Sequence, residues 1–181
     1  LQSLYLDPLR QLTKSNGGSV FNDGPPFHLL VDVKTEAEST YAALDAVLAK
    51  YADILSVTRD GKFEPKAVTI ILSGNRAFET IAKQSTRYVG IDGRPENLDA
   101  NPTANLYPWI SANWTLLFKW KGDGPMPTAE REKLRAMVEQ THQQKRKLRF
   151  WATAETEAMW RELHAAGVDY INTDKLDDLQ H

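Results

Sequence analysis

Two charges interrupt an otherwise mostly apolar run. The stretch His28-Leu29-Leu30-Val31-Asp32-Val33-Lys34 is aliphatic, carries β-branched residues and is bounded by turn formers, the pattern of a buried strand. Residues two apart on a strand project from one face, so Asp32 and Lys34 are expected to be neighbours. An Asp and a Lys at that spacing support two chemistries. They can close on each other as a structural ion pair sealing the strand end. Alternatively, Asp32 offers oxygen to a hard divalent cation, Mg2+ or Ca2+, while Lys34 sets a point charge against a phosphate oxygen. On that second reading Asp32 is a metal ligand. Lys34 is then the catalytic residue that stabilises charge developing on a phosphoryl oxygen.

Other apolar runs also end in polar or aromatic residues: Ser73/Asn75, Asp92/Arg94, Trp151/Thr153 and Asn172/Asp174. Ligands of parallel α/β folds bind at the C-terminal ends of strands, so these ends suggest one shared site. Arg94, Trp151 and Asn172 are the candidate substrate contacts. Arg94, like Arg76, supplies positive charge or merely solubilises a loop. Trp151 walls a pocket or packs in a core. Asn172 lines a pocket or fastens the last strand, and Asp174 reads mainly as a helix cap. Asp92 is a weaker ligand candidate than Asp32.

The histidines do not form a zinc pattern. His28 begins its strand, at the opposite end from Asp32; His142 and His164 fall on predicted helices; His181 is terminal. Ser73 precedes Gly74 but lacks the Gly-x-Ser-x-Gly elbow, and there is no Gly-x-Gly-x-x-Gly or Walker motif.

The elements that must position these residues alternate. A helix is expected over Leu4–Lys14, with Pro8 in its first turn and Asn16-Gly17-Gly18 ending it. After the turn-rich Asn22-Asp23-Gly24-Pro25-Pro26 comes the Asp32 strand. A capping box, Thr35 with Glu38, is expected to open a helix with Tyr41, Leu44, Val47, Leu48 and Tyr51 on one face. Further strands are expected over Ala67–Leu72, Arg87–Asp92, Leu148–Trp151 and Val168–Asn172. Helices are expected over Arg76–Gln84, from Thr128 (as cap) to about Lys145, from Thr153 (as cap) to Gly167, and from Lys175. Residues between Gly93 and Thr128 read as a long irregular stretch. Its aromatics, Trp109, Trp114, Phe118 and Trp120, would cover an acyl chain, pack beneath the sheet or mediate self-association.

Five nearly apolar strands separated by helices imply a parallel sheet covered on both faces. An open doubly wound sheet satisfies this pattern. So do the last five units of a (β/α)8 TIM barrel.

Composition bounds the rest. The 181 residues are 41% hydrophobic and 25% charged, which suits one folded domain. A net charge of -2 gives no general attraction to nucleic acid. There are no cysteines, hence no disulfides and no thiol nucleophile. No run is apolar and long enough for a transmembrane segment, and no signal peptide is visible. Neither compartment nor oligomeric state is legible.

Several of these motifs together resemble a known family. Leu29-Leu30-Val31-Asp32-Val33-Lys34-Thr35 looks like the middle-strand motif of the phosphatidylinositol-phospholipase-C-like phosphodiesterases, which include glycerophosphodiester phosphodiesterases and spider-type sphingomyelinases D. Arg149-Phe150-Trp151-Ala152-Thr153 and Ala166-Gly167-Val168-Asp169-Tyr170-Ile171-Asn172-Thr173-Asp174 are similar to that superfamily's last two strands. Val89-Gly90-Ile91-Asp92-Gly93-Arg94-Pro95, Pro108-Trp109-Ile110-Ser111 and Asn113-Trp114 most resemble the bacterial and fungal branch called altered inheritance of mitochondria protein 6.

The resemblance implies that residues 1–181 are the C-terminal portion of one barrel domain, roughly its last five β/α units. It implies a metal-dependent phosphoric diester hydrolase acting on a small-molecule or lipid phosphodiester, a glycerophosphodiester, lysophospholipid or phosphoinositide, and leaves room for peripheral membrane contact. Asp32 would match the third metal carboxylate, Lys34 the phosphate-contacting lysine and Trp151 the aromatic near the head group. The family's acid–base histidines and its second-strand Glu and Asp are expected before Leu1. This stretch alone is therefore expected to be inactive and poorly stable. The competing readings are a barrel that has lost catalysis and serves as a scaffold, and a small α/β domain that binds an anion.

Overall fold

The computed structural model describes residues 1–22, 24–100 and 102–180. Asp23 of the predicted turn and the terminal His181 lie outside the described residues. The chain divides into two compact units, Leu1–Asp92 and Gly93–His181.

The first unit opens with a single wide helical turn, Gln2–Leu6, running into α1 (Asp7–Ser15). Pro8 falls in the first turn of α1, where its missing N–H costs nothing. Strand β1 (Phe27–Val33) follows, then α2 (Ala37–Leu48). α2 buries Tyr41, Leu44 and Leu48, with Tyr51 beyond, on the expected face. Its cap differs from expectation. Glu36 is the cap and accepts from the Glu38 and Ser39 amides at 2.9 and 2.8 Å, whereas Thr35 turns to the Thr40 hydroxyl. A carboxylate one residue later satisfies two amide donors at once and outcompetes a hydroxyl. The Ser39 hydroxyl, which donates to Glu36 Oε2 at 2.6 Å, and then the two amides pull the Glu36 carboxyl down to about 2.

Next come β2 (Val57–Arg59) and β3 (Lys62–Glu64), an antiparallel hairpin turning at Asp60-Gly61 and absent from the sequence reading. β4 (Val68–Gly74), α3 (Phe78–Lys83), the two-residue β5 (Thr86–Arg87) and β6 (Val89–Gly93) complete the unit. β4 lies between β1 and β6, parallel to both. β5 instead pairs with β2, which separates Arg87 from the strand once expected to include it.

The second unit contains a strand that replaces part of the predicted irregular stretch. After α4 (Glu96–Ala100) the chain forms β7 (Trp109–Asn113) and α5 (Trp114–Leu117). Then follow α6 (Thr128–Gln143), β8 (Lys147–Trp151), α7 (Glu157–Ala166), β9 (Tyr170–Ile171) and α8 (Leu176–Gln180). β7, β8 and β9 run parallel with β8 in the middle. The aromatic stretch packs inward. Trp114 stacks on Phe118 at 4.2 Å, both meet Phe150 edge-on, and Trp109, Trp114, Phe118 and Trp120 are all buried.

Two helix starts also depart from expectation. Pro127, not Thr128, precedes α6, and no side chain caps it; Glu130 accepts from the Lys119 and Trp120 amides instead. Thr156 caps α7 through the Met159 amide, while Thr153 donates to the Asn172 carbonyl. Gly167 ends α7 in the left-handed region, as read. Among the described residues each unit holds three parallel strands alternating with helices, the pattern of a partial (β/α) barrel, where five strands in all were expected.

Candidate functional site

In the first unit the register builds one polar rung. Asp32 pairs with Ser73, and Ser73 lies one step beyond the Leu72–Ile91 pairing, beside Asp92. The Ser73 hydroxyl donates to Asp92 Oδ2 at 2.7 Å. Asp32, Ser73 and Asp92 thus share the C-terminal ends of three neighbouring parallel strands. Arg76 reaches the same end and donates to the Asp92 carbonyl at 2.5 Å.

The rung is graded from wet to dry. Asp92 is 1% exposed and Ser73 is buried, whereas the Asp32 side chain is 47% exposed. Lys34, just past the end of β1, places Nζ 2.6 Å from Asp32 Oδ2 while its side chain remains 79% exposed. The neighbour relation inferred from their spacing is therefore realised. An exposed pair of this kind contributes little to stability, typically about 0–1 kcal/mol. It is open to exchange its internal contact for a ligand.

Gly74 makes that geometry possible, and the sequence reading noted it only as a turn residue. Its φ is +74°, and a Cβ there would collide with the Val33 carbonyl and with Asp32 Oδ1. The turn then folds back, with the Asn75 amide donating to Val33 O at 2.9 Å and its side chain to Thr35 O at 3.0 Å. A glycine after a strand is an ordinary turn signal; the demand for it comes from the adjacent strand, which no local pattern reveals.

The second unit carries the other candidates. On β8, Leu148 and Phe150 are buried in the helix-facing core, so Lys147, Arg149 and Trp151 share the opposite face. Trp151 is 40% exposed at the strand end, followed by Ala152 at φ +56°. Asn172 accepts a hydrogen bond from Arg149 Nη2 across the β8–β9 pair. Asn172 and Trp151 therefore stand at neighbouring strand ends, and Arg149, not singled out from sequence, holds Asn172 in place. Arg94 begins the loop before α4; its amide donates to Asn97 Oδ1 and its guanidinium to the Gly93 carbonyl, both at 2.8 Å. Asp32 and Lys34 thus fall together in the first unit, and Trp151 and Asn172 together in the second.

At the opposite end of β8 and β9 is a different carboxylate. Asp169 receives His142 Nε2 and Lys147 Nζ, each at 2.8 Å, and the Leu148 amide at 2.9 Å. Burial alone would raise its pKa, but the Lys147, Leu148 and His142 donors together hold it below the usual carboxylate range. Among the described residues no three His, Cys, Asp or Glu side chains converge to hold a metal ion. Asp32 is a single carboxylate, which does not by itself fit a hard cation that takes six or more oxygens. Among the described residues no helix is long and apolar enough to cross a membrane.

Parallel strands feeding polar groups to their C-terminal ends give the class, a partial (β/α) barrel. Residues 147–177 match the glycerophosphoryl diester phosphodiesterase family, and over that segment the chain is related to it. The matched segment spans β8, α7 and β9, including Trp151 and Asn172. Neither a curated protein nor a solved structure matches the chain.

Proposed function

We propose that this chain belongs to a phosphoric diester hydrolase, with Lys34 as the catalytic cation and Asp32 as one oxygen ligand for Mg2+ or Ca2+. The observation that carries the reading is the Asp32–Lys34 pair, in contact at 2.6 Å yet half and four-fifths exposed, at the ligand-binding end of a parallel strand. The relation of residues 147–177 to glycerophosphoryl diester phosphodiesterases supports the substrate class.

Lys34 binds a non-bridging phosphoryl oxygen and offsets the charge that grows there as the phosphorus becomes pentacoordinate. Asp32 holds the lysine extended until substrate competes for it. Within the second unit, Trp151, Asn172 and Arg94 are proposed substrate-binding residues, and the substrate class is a glycerophosphodiester, lysophospholipid or phosphoinositide. Within the superfamily, the proposed branch is that of altered inheritance of mitochondria protein 6. Among the described residues Asp32 is not joined by further carboxylates or histidines into a complete metal site.

The closure of Asp32 on Lys34 favours one further reading, a barrel that binds phosphodiesters without cleaving them. Calorimetric titration with Mg2+ and Ca2+, comparing the protein with its Asp32→Ala variant, tests the metal assignment. Binding that disappears in a folded variant supports it; equal binding in both, or in neither, removes Asp32 as a ligand and leaves the binding-protein reading ahead.

A further inference from the structure

A buried cation in the first unit lacks a counter-charge. Arg87, on the two-residue β5, is 6% exposed, and among the described residues its guanidinium makes no hydrogen bond or ion pair. Its Nε is sealed from solvent without an acceptor. Burial pushes the Arg87 pKa down, yet a guanidinium stays charged at any ordinary pH. Thr58 stands beside it. The two residues pair across β2 and β5, so their side chains share one face of that small sheet. Thr58 is 3% exposed, and its hydroxyl also has no partner among the described residues.

The other polar groups of this niche are committed elsewhere. Tyr41, from α2, feels the Arg87 charge, and its hydroxyl donates to Gln84 Oε1 at 2.5 Å. Gln84 Nε2 in turn donates to Asp45 Oδ2 at 3.3 Å. Asp45 Oδ1 is buried without a partner, and burial raises the Asp45 pKa. That carboxyl therefore answers to Gln84 and is not the counter-ion of Arg87. A charge taken out of water is tolerated only when something of opposite sign meets it.

We infer that Arg87 and Thr58 form a binding site for a small carboxylate, separate from the Asp32–Lys34 pair. β5 leads into the N-terminal end of β6, whereas Asp32, Ser73 and Asp92 stand at the C-terminal ends of their strands. A guanidinium presents N–H groups at the spacing of the two carboxylate oxygens. The Thr58 hydroxyl adds a further donor. Charge selects carboxylate over phosphate. One negative charge neutralises Arg87, whereas a phosphate dianion would leave an excess beside Asp45, the other charge that Tyr41 feels. The inference stands without the phosphodiesterase reading.

The test is thermal melting of the full chain at constant ionic strength as sodium acetate replaces sodium chloride. Acetate is expected to raise Tm saturably, by about 5 °C at roughly a hundred times Kd. Arg87→Met should abolish that rise. With no buried charge left unpaired, it should also melt above the unaltered chain in chloride alone. Thr58→Val loses one donor and should weaken acetate binding about threefold to tenfold. No rise in the unaltered chain overturns the inference. So does an equal rise in Arg87→Met, which marks a bulk salt effect. A folded Arg87→Met that melts below the unaltered chain in chloride overturns it too, because the guanidinium is then satisfied by the protein itself. Should Arg87→Met not fold, an acetate response unchanged in Thr58→Val decides against the site. A larger rise with phosphate than with acetate, lost in Arg87→Met, refutes the carboxylate class. Lys34→Gln should leave the acetate response intact, so failure of the catalytic proposal is read separately.

Discussion

Asp32 and Asp169 are both aspartates that meet a lysine at a strand end, yet the molecule uses them differently. Asp32, at the C-terminal end of β1, meets Lys34 in a setting where both side chains remain largely exposed. Asp169, leading into β9, is 10% exposed and takes donors from Lys147, His142 and the Leu148 amide. A carboxylate with three donors and little water gains its stability from the fold and has nothing to offer a ligand. A carboxylate with a solvated lysine can exchange that lysine at small cost. The difference lies in the number of donors and the amount of water, not in the residue types.

The comparison breaks most readily at Asp169. Asp169→Ala should leave Lys147 and the Leu148 amide without their acceptor and destabilise the protein by roughly 2–4 kcal/mol in urea denaturation. An effect as small as that of Asp32→Ala would erase the distinction. Gly74→Ala comes next, at roughly 1–3 kcal/mol, because it combines a left-handed φ with a collision against Asp32 and the Val33 carbonyl. That variant should also disturb the Asp32–Lys34 contact, seen as a changed Lys34 amine resonance in NMR.

Acid sharpens the contrast further. The folded Asp169 carboxyl lies below its unfolded value, so its contribution is complete above the unfolded pKa, about 4. It fades as pH falls through the folded pKa. The stability gap between the protein and Asp169→Asn should therefore narrow below about pH 4. A gap that widens in acid would reverse the assignment. Smallest is the effect of Lys34→Gln on stability, expected within about 0.5–1 kcal/mol and shrinking further with added salt. The same substitution should weaken binding of a phosphodiester probe about tenfold or more, measured by calorimetry.

Residues close in sequence were the legible ones. The Asp32–Lys34 contact follows from a two-residue period, and the faces of α2 and the stop at Gly167 follow from local spacing. β7 escaped notice because Trp109-Ile110-Ser111-Ala112-Asn113 is short and its partner, β8, lies beyond the whole of α6. The Asp60-Gly61 hairpin did carry a readable signal, an Asp-Gly pair between short strands, that the sequence reading left unused. The caps at Glu36 and Thr156 displaced Thr35 and Thr153 because several groups near each helix start could serve. Three-dimensional approach decided among them.

By itself the sequence determined the parallel strand–helix alternation, the neighbouring of Asp32 and Lys34, and the likeness to phosphodiesterases. Each depends on local periodicity or on residue order along the chain. Only tertiary structure decided that Ser73 would bind Asp92, that Gly74 must lack a side chain and that Asp169 would be saturated. Those outcomes depend on strand register and burial, which arise when segments distant in the chain compete for the same space and the same hydrogen bonds.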